Sequence, residues 1–381
     1  MAKAVPAVAA TVILYVLWPS KRAITRRVQS MSRVEIELMD NARRGAAVDP
    51  LLGKLFAGKY QVNDLVAKGG MGRVYRARQR GVERWVALKV LHGRHSQDES
   101  VVKRFYTEMR ATARIEHPHT VRVYDFGHSD EGDLFLVMEL LRGPTLAELM
   151  DREAPLAPER VARIGARIAR ALEAAHAVGV VHRDLKPENV LVTEQYGTPD
   201  WVKVLDFGLA RMHTDSYEDD QDMTAVGKRV GTPLYMSPEY IEHRQVDPRS
   251  DLYALGAVLY EMATGALPYK GTARQVLQQQ IHRAPKPPRT HRPELPRWLN
   301  DLIVELMRSD PEERPRTATH VAQILEVRAE QRGSPVAKAV KREVRDSARV
   351  FAVAMLVALS IVAVGLVVLC LAVTLFVVLA G

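Results

Sequence analysis

"VGVVHRDLKPENVLV", residues 178–192, sets an aspartate, a lysine and an asparagine between two apolar runs. Asp184, Lys186 and Asn189 stand within six residues of one another. Short apolar runs bounded by polar residues read as buried strands. The pattern asks what would bring three polar groups to one edge of a buried strand pair, and what they would act on.

The chain has 381 residues, 47% hydrophobic and 26% charged, enough for one large domain or two. Its net charge of +9 is unevenly spread. Residues 1–58 carry nine basic and four acidic side chains, and residues 326–381 seven and four, which leaves 59–325 near +1. A nucleic-acid-binding domain wants its basic excess on the folded core. Here the excess sits in the flanks, so no nucleic-acid partner is expected. The single cysteine, Cys370, allows no internal disulfide and fits a reducing compartment.

Both flanks read as membrane segments. Residues 350–380 hold 31 residues without a charge, more than the roughly 20 a spanning helix needs. Lys338, Lys341, Arg342, Arg345 and Arg349 precede them, which by the positive-inside rule predicts a cytoplasmic core and an outward C-terminus at the cell (inner) membrane. Residues 4–18, "AVPAVAATVILYVLW", are followed by Lys21, Arg22, Arg26 and Arg27. That order suits a short span or an interfacial anchor rather than a secretory signal. The lipid bilayer is thus an expected partner, attracting the basic flanks at about 1 kcal/mol per nearby Lys or Arg. The expected layout is an apolar segment with basic flank at 1–29, a linker at 30–59, a core at 60–326, a basic juxtamembrane linker at 327–349 and a transmembrane helix at 350–380.

The core opens with "YQVNDLVAKGGMGRVYRARQRGVERWVALKVL", read as strand, glycine turn, strand, strand. Gly69, Gly70 and Gly72 leave backbone N–H groups free to approach phosphate oxygens, although an ordinary hairpin has similar turns. Lys89 ends an apolar strand, where an ammonium is costly without anionic partners. The next segment carries a helical period through Phe105, Met109, Thr112 and Ile115, with Glu108 inside it.

Together these stretches resemble the protein kinases, whose loop reads G-x-G-x-x-G-x-V before a V-A-I-K lysine. The resemblance covers 60–325 and is nearest to bacterial transmembrane serine/threonine kinases of the eukaryotic-like (Hanks) type, which favour "GGMG" and "YMSPE". It implies an α+β, bilobal fold: a small five-stranded antiparallel sheet with one main helix, then a mostly helical lobe, with the nucleotide between them. It implies ATP and Mg2+ (or Mn2+) as cofactors and protein Ser/Thr hydroxyls as acceptors. By position, Val66, Ala67, Gly69, Gly70, Gly72, Val74 and Lys89 would hold the nucleotide. Met138 would be the gatekeeper, and Glu139 and Leu141 would offer backbone groups to adenine. Ala67 stands where the first loop glycine belongs, which predicts narrowed backbone options in the turn and weakened or altered nucleotide binding. Glu108 would pair with Lys89.

"HRDLKPEN" then fills every position of the kinase catalytic loop. Asp184 would accept the acceptor's proton, Lys186 would neutralise the γ-phosphate, and Asn189 and Asp206 of "VLDFGLA" would hold the metal. His182 would pack rather than react. Glu239 of "GTPLYMSPE" would pair with Arg314, and Asp251 would fix the catalytic-loop backbone. The 34 residues from Asp206 to Glu239 read as a regulatory segment carrying Thr214, Ser216, Tyr217, Thr224 and Thr232. Arg183 beside Asp184 marks control by phosphorylation there, since a phosphate can order a loop by pairing with arginine. Thr224 is the expected autophosphorylation site, with Val226 in place of a second threonine; Thr232 is expected to contact the catalytic loop. Input would come through partner helices or a homodimer of the spans. Two other readings stay open: a pseudokinase scaffold, favoured by Ala67, and a small-molecule kinase, which "GTPLYMSPE" and Asp251 argue against.

Overall fold

The computed structural model describes residues 49–69, 72–91, 98–195, 197–208, 234–244 and 246–333. Gly70, Thr224 and Thr232, the apolar segments 4–18 and 350–380, and most of both linkers lie outside the described residues. Among the described residues no helix is long and apolar enough to cross a membrane.

The first lobe is an antiparallel sheet of β1 (Leu55–Phe56), β2 (Tyr60–Gly69), β3 (Gly72–Gln79), β4 (Arg84–Leu91), β5 (Val123–His128) and β6 (Leu134–Glu139), ordered β1-β2-β3-β4-β6-β5. The expected sheet of five gains a sixth strand from residues assigned to the linker, because Leu55 and Phe56 pair with Gln61 and Tyr60. Strand alternation sorts its side chains onto two faces. Tyr75, Ala77, Val86, Leu88 and Val90 form an outer core with Phe56, Tyr60 and Val62. Ala87, Leu91, Leu136 and Met138 face helix α1 (Glu99–Thr112) and the cleft. The helix is capped by Asp98, which accepts from the N–H of Ser100, and buries Val101, Phe105, Met109 and Thr112 along one side. Ile115, expected on the same helix, lies past its end and packs in the core of the second lobe.

The second lobe contains α2 (Leu146–Glu153), α3 (Pro158–Ala177), the hairpin β7 (Val190–Gln195) and β8 (Thr198–Val204), α4 (Pro238–His243), α5 (Pro248–Thr264), α6 (Ala273–His282), α7 (Arg297–Leu306) and α8 (Ala318–Gly333). Every residue of α5 from Ser250 to Ala263 is buried, so this helix is the lobe's core on all sides. Its neighbours come close only where side chains are missing. A Cβ on Gly256 would stand 2.8 Å from Leu306 Cβ, and one on Gly165 of α3 2.6 Å from Leu259 Cδ2.

The lobes are stitched by backbone. Val204 N–H donates to His119 O at 2.8 Å, and Val121 N–H donates to Val204 O at 2.9 Å. His119 reinforces the seam, since Nδ1 donates to Val202 O at 3.0 Å and the ring packs on Trp201. Burial pulls the His119 imidazole down to about 4, only partly offset by that carbonyl. The unfolded chain therefore binds the proton more readily. Stability from this group is complete above about pH 6.5 and is lost as pH falls toward 4. In urea titrations across that window, His119→Asn, which keeps a donor for Val202 O, is expected to lose less stability on acidification than the parent; equal losses would exclude this account.

Candidate active site

The catalytic-loop residues sit where α3 gives way to β7. The helix ends through Gly179 at φ 77°, and Val180 N–H returns to Ala175 O. What holds the following loop is Asp251 from the first turn of α5, 1% exposed. Its Oδ2 accepts from His182 N–H at 2.8 Å and from His176 Nε2 at 2.7 Å, and its Oδ1 from Arg183 N–H at 2.9 Å. Burial alone would raise this carboxyl; the His176 hydrogen bond and nearby histidines outweigh it and hold Asp251 below the usual range. Arg183 stands at φ 67°, a conformation that costs a non-glycine residue roughly 1–3 kcal/mol. The bonds to Asp251 keep it there.

That bend aims Asp184. Its Oδ2 accepts from Lys186 Nζ at 2.6 Å and from Asn189 Nδ2 at 3.1 Å, and Asn189 Nδ2 also donates to Asp184 O at 2.8 Å. Among the described residues, Asp184 Oδ1 and Asn189 Oδ1 keep no partner. One carboxylate oxygen is thus pinned, and the other is left as an acceptor.

Asp206 arrives beside Asn189 because of strand register. Val190 pairs with Val204, and Leu205 N–H donates to Asn189 O at 2.9 Å. Across the cleft, Lys89 Nζ reaches Asp206 Oδ2 at 2.8 Å. Burial would raise Asp206, but the Lys89 ammonium overrides it and keeps the carboxyl lowered and ionised. His182, expected only to pack, does more. It is fully buried against Phe207, its Nε2 donates to Leu205 O at 2.8 Å and its Nδ1 accepts from Asp184 N–H at 3.3 Å. It ties the loop of Asp184 to the strand end that carries Asp206. Gly208 at φ 75° lets that turn pass α1, where a Cβ would lie 3.1 Å from Thr112 Oγ1 and 3.4 Å from Glu108 Oε2. Glu108 is therefore placed beside the Asp206 turn.

On the sheet side, β3 runs between β2 and β4: Ala67 of β2 stands opposite Val74, Val74 stands opposite Lys89 of β4, Gly72 opposite Leu91, and Val66 falls at the irregularity between Leu65 and Ala67. Gly72 is required by packing: its φ is 153°, and a Cβ would stand 2.1 Å from Val90 O. Gly69, by contrast, faces open space. Ala67 is not in the turn. It is a β2 ladder residue opposite Val74 and is absent from the positive-φ residues, so its methyl costs the backbone nothing. Met138 is buried opposite Ala87 at the back of the cleft, and Leu141 packs near it.

Glu139 carries a function that sequence reading did not supply. Its N–H donates to Arg122 O at 2.9 Å, which leaves its carbonyl as the backbone group it has to offer. Its Oε1 accepts from Lys203 Nζ at 2.6 Å and from Arg122 N–H at 2.8 Å. Lys203, buried on β8, also reaches Thr120 O. The signal was present in "WVKVLDF", a lysine inside an apolar strand, but its partner lies 64 residues away.

Below the loop, Arg314 holds Glu239 through two bonds of 2.9 and 2.7 Å, and Ser250 Oγ adds a third at 2.7 Å. Burial would raise Glu239; Arg314 brings it below its ordinary value. Such a fork also accepts no lysine substitute of equal geometry.

Two oxygen donors, Asn189 Oδ1 and the Asp206 carboxylate, stand at one end of the β7–β8 hairpin, Asn189 just before β7 and Asp206 just past β8. A hard cation that takes one or two protein oxygens and fills its shell with phosphate and water fits this set.

Residues 60–326 match the protein kinase domain family. Serine/threonine-protein kinase pkn3 of Myxococcus xanthus is 43% identical over 273 residues, 71% of this chain and 50% of that protein. Serine/threonine-protein kinase PknE of Mycobacterium bovis is 40% identical over 257 residues, 68% of this chain and 44% of that protein. This chain thus spans about half the length or less of the curated relatives it matches. The crystal structure of the Mycobacterium tuberculosis PknI kinase domain has a TM-score of 0.58 at 27% identity, covering 74% of this chain and 100% of that one. On the family match, the shared motifs and the two-lobed architecture that brings them to one cleft, the chain belongs to the protein kinase family and resembles its bacterial serine/threonine members.

Proposed function

We propose that this chain transfers the γ-phosphoryl group of ATP to serine and threonine hydroxyls of proteins. The observation that carries the proposal is the asymmetry of Asp184: Oδ2 is pinned by Lys186 and Asn189, and Oδ1 has no partner among the described residues. Oδ1 accepts the proton of the acceptor hydroxyl as its oxygen bonds to the γ-phosphorus. The bond from that phosphorus to the β–γ bridging oxygen breaks, and ADP leaves. Lys186 is held beside Asp184, where its ammonium offsets charge on the γ-phosphate oxygens. Lys89, held by Asp206, meets the phosphates below Gly69–Val74. Asn189 and Asp206 would hold Mg2+ or Mn2+, which when bound neutralises phosphate charge. Positioning and fixed charge supply the catalysis, since phosphoryl transfer asks little covalent chemistry of the protein. The backbone carbonyl of Glu139 and the backbone of Leu141 serve adenine, with Met138 behind them.

Phosphoryl transfer itself separates an enzyme from a nucleotide-binding scaffold. With labelled ATP and a generic basic protein, the parent should label Ser or Thr. Asp184→Asn should cut transfer by about 100-fold or more while nucleotide affinity stays within a few-fold. Binding without transfer in the parent would sink the enzyme assignment.

Regulation and location are parts of the same proposal. Thr224 is the principal autophosphorylation site, with Glu108 and Thr232 as regulatory contacts, supported by Arg183 beside Asp184 and by the placement of Glu108 next to Gly208. Phosphopeptide mapping of active protein should find the modification at Thr224; active protein unmodified between 214 and 226 would refute it. Residues 350–380 anchor the chain in the inner membrane with the kinase domain cytoplasmic, supported by 31 uncharged residues behind a basic flank. The spans offer a route to a homodimer. Carbonate-washed membranes should retain a chain lacking residues 1–29 and release the same chain when it is also truncated at 349; equal release of both would remove the anchor at 350–380.

A further inference from the structure

Asp49 precedes the family match, yet it is one of the most heavily bonded carboxylates of the first lobe. Oδ2 accepts from Arg73 Nη1 at 3.0 Å, and the Tyr75 hydroxyl lies 2.9 Å from Oδ1 and 3.1 Å from Oδ2. Leu51 N–H donates to Oδ1 at 3.1 Å, which turns the chain toward β1. The Asp49 side chain is 10% exposed and Tyr75 fully buried, so the tyrosine hydroxyl has no water to fall back on.

Both partners sit on β3, at the first and third residues after Gly72. Strand alternation turns Arg73 and Tyr75 to the outer face and Gly72 and Val74 to the cleft. Tyr75 belongs to the outer core, whereas Val74 packs against the cleft-side cluster and stands opposite Lys89. Gly72 is pressed against Val90 O of the neighbouring strand β4. The start of β3 is therefore held from two directions, by the neighbouring strand β4 within the sheet and by Asp49 on the outer face. Leu51 and Phe56 pack the rest of the 49–58 segment onto the outer core.

We infer that Asp49 is a positioning residue for the nucleotide: through Arg73 and Tyr75 it sets the height of the β3 end over the cleft, and hence the grip of Gly72 and Val74 on the phosphates. The inference rests on the proposed nucleotide role of that loop. It makes the segment before the kinase core a determinant of ATP affinity.

The test uses the full chain and a fluorescent ATP analogue, with ATP KM, kcat, the KM of a basic protein substrate and nucleotide-free Tm measured beside it. Asp49→Asn and Tyr75→Phe are each expected to weaken analogue binding and raise ATP KM about fivefold, with kcat and the protein KM within twofold. The double variant should be no worse than Asp49→Asn alone, because both remove the same link. Leu51→Ala loosens the segment without touching the link and should lower Tm while leaving ATP affinity intact. Unchanged affinity in Asp49→Asn and Tyr75→Phe overturns the inference. So does an affinity loss in Leu51→Ala equal to theirs at equal Tm, which would make the effect one of stability alone. Gly69→Val, whose side chain meets open space in the protein, separates the two claims. If it loses affinity while Asp49→Asn does not, the positioning role falls alone; if neither does, the loop's nucleotide role falls with it.

Discussion

A carboxylate with 1% of its residue exposed must be surrounded by donors or give up its charge. Asp251 is surrounded, and the donors are the backbone N–H groups of His182 and Arg183 and the ring of His176. The site geometry follows from that. Arg183 is kept in a left-handed conformation, the chain turns, and Asp184 points into the cleft with Lys186 and Asn189 folded back upon it. His182 passes the order along, because its two ring nitrogens join Asp184 N–H to Leu205 O. The helix that supplies Asp251 is buried on all sides and closely packed, so the carboxylate has little room to move.

The same logic of buried charge ties the lobes together. Lys89 in the first lobe meets Asp206 in the second, and Lys203 in the second meets Glu139 at the end of the first. Each lysine occupies an apolar strand and is stabilised by a carboxylate across the division. Loss of one partner would strand the other in low dielectric, which is far costlier than loss of an exposed pair. With the backbone seam at His119, Val121 and Val204, these links define how the sheet sits over the catalytic loop.

Much of this was legible beforehand. The strand that carries Lys89 and the run from Asp184 to Asn189 are local patterns, and both are found where the sequence places them, the strand running on to Leu91. The misreadings share a cause. Ile115 continued the helical period, yet the helix ends at Thr112 and the side chain joins the other lobe's core. Ala67 was assigned to the turn, yet β2 continues through it to Gly69. Residues 55–56 were assigned to a linker, yet Leu55 and Phe56 find partners on β2. Period and turn chemistry report what a segment prefers; tertiary packing decides where it stops and what it joins.

The amino-acid order by itself determined which chemical groups are present and their spacing along the chain, because covalent spacing and side-chain period are local properties; the two-lobed class of the fold came through the resemblance of its motifs to the protein kinases. Only the tertiary structure decided partners: Lys203 for Glu139, His182 for Leu205, Asp49 for Arg73 and Tyr75. A buried charge or hydroxyl takes whichever complementary group packing brings within about 3 Å, and that group comes from a segment whose distance along the chain carries no information about its distance in space.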